Sequence, residues 1–171
     1  MSLFKFYDSN FITVPNHPDV VASANTYNGY QFKLVGDTAT VHATAAEVQS
    51  GDGYIMLNII DKPEILNTDE YYVKSDEHIR AYRLKDLVGL KLELSADLVT
   101  DEFAGVTDGA LLVGRSTADT TDGMKWKVLA DVTGYEVYLK VVKKTTFGAF
   151  TSDGAGGTVD GGYLVQIMST N

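Results

Sequence analysis

Glycine-ended turn signals recur along this chain and cut it into short β-patterned runs, and that punctuation limits the fold more than any other feature. Residues 50–53 (SGDG), 106–109 (VTDG), 120–123 (TTDG) and 132–134 (VTG) set Ser, Thr or Asp before Gly, the residues that tight turns accept. The runs between them carry strand patterns. Residues 30–35 alternate, with Tyr30, Phe32 and Leu34 on one face. Residues 54–60 are almost continuously apolar, as expected of a strand covered on both sides. Residues 70–75 form a short aromatic run, and 109–114 a short buried strand between glycines. Residues 90–95 alternate cleanly, with Leu90, Leu92 and Leu94 inward and Lys91, Glu93 and Ser95 outward. Residues 124–129 put Met124, Trp126 and Val128 on one face, so Trp126 reads as core. Residues 136–142 and 163–168 complete the set.

Residues 78–84 have a mixed pattern: Ile79, Ala81 and Arg83 on one face, His78, Arg80, Tyr82 and Leu84 on the other. This run and residues 90–95 are predicted to be neighbouring strands. Residues 85–89 would then be a turn whose Leu87 and Val88 cap the barrel end, closed by Gly89. Arg80, Arg83, Asp86 and Glu93 read as surface or interface charges. One other helical turn is expected over 44–50, behind Thr44 with Glu47 three residues later as a capping box. The expected fold is therefore all-β, a small barrel or sandwich with one or two short helical turns.

Two segments stand apart. Residues 1–29 hold Pro15 and Pro18 and no long periodic run, yet carry Phe4, Phe6, Tyr7, Phe11, Ile12 and Val14. They form either an edge strand of their own domain or an extended N-terminal arm that docks on another subunit, and these six residues are the candidate partner interface. Residues 30–171 read as a single β-rich domain. Within it, residues 147–162 contain six glycines and are expected to form a long hairpin loop.

Charge and composition narrow the function classes. The formal net charge is −9, and residues 51–102 hold 12 Asp and Glu against 6 Lys and Arg. An acidic chain whose only basic doublet is Lys143-Lys144 is a poor match for nucleic acid. Cysteine is absent, which removes disulfides, thiolate metal sites and cysteine nucleophiles. No apolar run reaches the length of a membrane span or a signal-peptide core, so a soluble protein without a cleavable signal and without a membrane partner is expected.

Chemistry-bearing patterns give no catalytic, cofactor or metal set. His17, His42 and His78 lie far apart in sequence, so they form no local zinc pair. His17 and His42 are expected to be solvated or hydrogen-bonded. The doublets Asp69-Glu70, Asp76-Glu77 and Asp101-Glu102 point their carboxyls apart, unlike a glycosidase pair facing across a cleft. The loop GAGGTVDGG (154–162) lacks the Lys and Ser/Thr of a phosphate loop. Asp153 and Asp160 have calcium β-roll spacing in a single copy, and a β-roll needs repeats. There is no G-x-S-x-G elbow and no dinucleotide fingerprint.

The order of pieces over residues 50–170 carries a resemblance. EHIRAYRLKDLVGLKLELSADLV (77–99) is followed by FAGVTDGALLVGRS (103–116), MKWKVL (124–129), YEVYLKVVKKTTFGAF (135–150) and GTVDGGYLVQIM (157–168). This order resembles the decoration, or head-stabilising, proteins of tailed bacteriophages that infect Gram-positive hosts. The resemblance implies a small β-barrel or β-tulip on the exterior of the capsid, bound to the major capsid protein shell, often as a homotrimer, with no catalytic residues. It does not reach residues 1–50. Two rivals are a carbohydrate- or receptor-binding module, such as a head-fibre or tail component, and a β-barrel hydrolase or isomerase built around His78 or the Asp/Glu doublets.

Overall fold

The computed structural model describes residues 4–6, 16–58, 72–118, 122–146 and 161–170, the first three by their backbone alone. Among the described residues, eleven strands lie in two sheets. The strands are β1 (Phe4–Phe6), β2 (Val21–Ala22), β3 (Gln31–Val35), β4 (Thr38–Thr40), β5 (Tyr54–Met56) and β6 (Ala81–Arg83). They continue with β7 (Lys91–Ser95), β8 (Leu111–Gly114), β9 (Trp126–Leu129), β10 (Val137–Thr145) and β11 (Gly162–Ser169). A helical turn, α1 (Ala45–Gln49), follows β4. The fold is all-β, as the turn punctuation predicts.

The larger sheet has the order β1-β7-β11-β10-β8-β9. Its spine is the long antiparallel pair β10–β11, which a bulge between Val141 and Lys143 bends. The smaller sheet has the order β2-β4-β3-β5-β6. It curls shut, because the segment around β2 is bonded on both sides. Val21 pairs with Thr38 of β4, while Val21 bridges His78 and His17 bridges Ala81. Ile79 N–H donates to the Val20 carbonyl and Ala22 N–H to the Glu77 carbonyl, which completes the closure. Residues 17–22 thus supply one wall of a small barrel.

Two strands are covered on both faces. Ile55 packs into the large cluster with Leu92, Leu94, Leu112, Trp126, Leu139 and Ile167, while its neighbour Met56 packs into the barrel interior with Val20, Phe32 and Ala39. The same split places Tyr82 in the first cluster and Ala81 in the second. Burying both faces explains why these runs read as continuously apolar or mixed instead of alternating.

Polar side chains tie the barrel to the larger sheet. Gln31, buried on β3, donates through Nε2 to the carbonyls of Arg115 (2.8 Å) and Gly123 (2.9 Å). Trp126 Nε1 donates to the Gly29 carbonyl at 3.0 Å. Gly114 is needed here, since a Cβ on it would sit 2.7 Å from Gln31 Cδ.

Four expectations are corrected. β6 and β7 are not neighbouring strands; they lie in different sheets, and the 3₁₀ turn Leu84–Leu87 carries the chain across. The crossover is fixed because Leu87 is fully buried and the Gly89 N–H donates to the Ile167 carbonyl of β11, which seats the following strand beside β11. Val88 does not join Leu87 in the core: it is 42% exposed. Glu93 and Ser95 are buried rather than outward, so both faces of β7, which is held between β1 and β11, are covered. Of the run at 70–75, residues 70 and 71 lie outside the described residues, and among the described ones only Val73 pairs, through a bridge to Thr26. The glycine-rich stretch 147–160 lies outside the described residues.

Candidate functional site

The six candidate interface residues divide by position. Phe4 and Phe6 belong to β1, whose backbone pairs antiparallel with β7 in the register Phe4↔Leu94 and Phe6↔Leu92. β1 is an end strand of the larger sheet. Tyr7, Phe11, Ile12 and Val14 lie outside the described residues.

The histidines do not converge on a shared metal, and among the described residues no group of three His, Cys, Asp or Glu could hold one. His17 sits edge-on to Tyr54, with ring centroids 5.7 Å apart. His78 is exposed on the barrel wall. His42 is not solvated, being 2% exposed, but it meets the hydrogen-bonded alternative through the Phe32 carbonyl, while its Nδ1 has no hydrogen-bond partner among the described residues. Leu84 and Gly53 close over it, the glycine leaving room that a Cβ 3.3 Å from His42 Nε2 would take. Burial depresses the imidazole to about 4; nearby Glu47 opposes the shift, Lys33 adds to it, and the Phe32 carbonyl opposes it.

The carboxylate doublets serve the backbone. Asp101 Oδ2 accepts from the Val128 N–H at 2.7 Å, and Glu77 Oε2 accepts from the Lys74 N–H at 3.0 Å. Asp69 and Glu70 lie outside the described residues. Arg80, Arg83 and Asp86 are exposed, as expected, and Arg83 pairs with Asp52.

What the structure assembles, and the sequence did not announce, is a cleft beside His42. It is open, encloses about 510 Å³, and is lined by Lys33, Leu34, His42, Glu47, Ser50, Asp52, Tyr54 and Arg83. Its first wall is built by α1. Thr44 caps the helix, its Oγ1 accepting from the Glu47 N–H at 3.4 Å. The Glu47 carboxylate turns back as in a capping box but reaches one residue further, accepting from the Ala43 N–H at 2.6 Å. Its other oxygen takes Lys33 Nζ of β3 at 2.6 Å. Lys33 and then the Ala43 N–H hold this carboxyl below its ordinary range.

The opposite wall is built by the turn at 50–53 and by β6. Asp52 Oδ1 accepts from Arg83 Nη2 at 2.8 Å and from Lys85 Nζ at 3.1 Å. Arg83, then Lys85, holds the Asp52 carboxyl below its usual range. Lys85 also pairs with Glu136 Oε2 at 2.7 Å, so the ion-pair chain runs from the barrel to the start of β10. Tyr54 lies between the walls, its ring parallel to Phe32 at 6.4 Å and 12°. The cleft thus offers fixed donors, fixed acceptors and one braced aromatic ring.

Comparisons of the chain with protein-family models, with curated proteins and with solved structures return no match.

Proposed function

We propose that this chain is a non-enzymatic structural protein of a phage virion that binds the exterior of the capsid and stabilises it through repeated protein–protein contacts. The observation that carries the reading is the position of β1. The aromatic N-terminal segment contributes a three-residue strand at the end of the larger sheet, with one backbone edge paired to β7 and no strand paired on the other among the described residues. An end strand with an open edge is the element that adds most readily to another chain. The order of strands and turns over residues 50–170, which resembles decoration proteins, supports the same reading. Several weak contacts on one rigid shell combine into high avidity when their spacing matches the lattice, and a homotrimer supplies three. The acidic body complements basic patches on the major capsid protein.

Deleting residues 2–14 removes β1 and the rest of the candidate interface. We expect the truncated protein to lose co-sedimentation with capsids while keeping its β-type circular dichroism spectrum. Unchanged co-sedimentation of a folded truncation removes the segment from the interface and with it the basis for this reading.

A further inference from the structure

The charges facing the cleft cancel in place. Lys33 is matched by Glu47 and Arg83 by Asp52, so these four side chains carry no net formal charge. A free anion or cation entering the cleft meets a partner and a like charge together, and gains little. A neutral molecule with many hydroxyl groups is different. Each hydroxyl both donates and accepts, so it can give a hydrogen bond to a carboxylate and take one from an ammonium or guanidinium.

We propose that this cleft binds an uncharged saccharide of one or two rings. The volume of about 510 Å³ lies within the range of small-molecule clefts, roughly 300–1,000 Å³. Acceptor capacity remains after the ion pairs form: both cations go to Asp52 Oδ1, so among the described residues Oδ2 is left for a ligand hydroxyl. The C–H face of a sugar ring packs on apolar surface, and the Tyr54 ring is the aromatic member of the cleft lining. Phe32 and His17 brace that ring from two directions, so little side-chain freedom is lost on binding. The two walls are equally fixed, one by the α1 cap and the other by the Asp52–Lys85–Glu136 chain. The inference stands apart from shell attachment, since capsid co-sedimentation and sugar binding report on separate surfaces and either can fail alone.

The test is an NMR titration of the full chain, following backbone amides. The probes are glucose, galactose, mannose, N-acetylglucosamine, lactose, maltose and cellobiose, with sodium phosphate and sodium acetate as charged controls. At least one sugar should give saturable shifts centred on Lys33, Ser50, Asp52, Tyr54 and Arg83, with a Kd near the millimolar range. Asp52→Asn should weaken that binding at least about tenfold, a loss of roughly 1.4 kcal/mol, as should Tyr54→Leu. Asp52 is exposed, so its variant remains informative if Tyr54→Leu does not fold. The proposal is overturned by absence of saturable cleft shifts up to about 50 mM of every sugar. It is equally overturned if sugar shifts survive Asp52→Asn, or if phosphate or acetate saturates the cleft more tightly than any sugar.

Discussion

Acidification should destabilise this protein well before its carboxylates protonate, and His42 is the reason. In the fold the imidazole is 2% exposed and titrates near 4, against an ordinary value of about 6.5 in the unfolded chain. As the pH falls below 6.5 the unfolded chain takes up a proton that the folded chain refuses. Stability is therefore complete above about 6.5 and is lost progressively down to about 4. From pH 7 to pH 5 this single group removes about 2 kcal/mol, and below pH 4 the full loss is about 3 kcal/mol. Glu47 and Asp52 shift the opposite way: their folded values are lowered, so the stability they add is lost only as the pH falls below the ordinary carboxylate range. The window from 6.5 to 5 consequently separates His42 from them. Urea unfolding at pH 7, 6 and 5, for the wild type and His42→Gln, should show the wild type losing about 2 kcal/mol more than the variant across that range. NMR titration of the His42 ring in the wild type checks the same point without a substitution. Equal slopes in the two proteins, or a His42 ring that titrates near 6.5, would refute the reasoning.

Two further substitutions probe the joints that position the cleft. Gln31→Leu keeps the volume on β3 but leaves the buried carbonyls of Arg115 and Gly123 without the amide that serves them; a loss of about 2–4 kcal/mol is expected, read as a lower urea midpoint at unchanged slope. Thr44→Ala removes the cap of α1 and should cost about 1 kcal/mol, with amide exchange rising across Ala45–Gln49 while the β10–β11 pair stays protected.

Strand placement was legible because it is local. Alternation at 90–95 and 124–129, and the turn signals between runs, act within a few residues, and β7 and β9 lie where those patterns fall. Sheet membership was not legible. Five residues between two strand patterns suit a hairpin or a crossover equally well, and the choice rests on Leu87 entering the large cluster and on the Gly89 N–H reaching Ile167 of β11, some 80 residues away in the chain. The polar face of β7 misled for a related reason. Alternation marks a polar face but not whether neighbouring chain covers it, and Glu93 and Ser95 are covered and have partners.

The cleft shows the same limit and also where sequence came close. Its ion pairs join residues 14, 31 and 33 positions apart, and no local window contains both ends of any of them. The turn at 50–53 is nevertheless visible in its Ser-Gly-Asp-Gly sequence, on grounds of backbone conformation, and Gly51 does adopt a positive φ of 67°. The structure adds a second reason for its two glycines. A Cβ on Gly51 would lie 3.0 Å from both Lys85 Cε and Glu136 Cβ, and one on Gly53 would press on His42 and Leu84. Between them Asp52 faces outward to hold Arg83 and Lys85. Four residues that read as punctuation thus do three things: they reverse the chain, leave space for the buried histidine, and set the carboxylate that forms one wall of the cleft. A side chain at either glycine would disturb the fold and the candidate site together, so no substitution there can separate the two, whereas Asp52→Asn alters the wall alone.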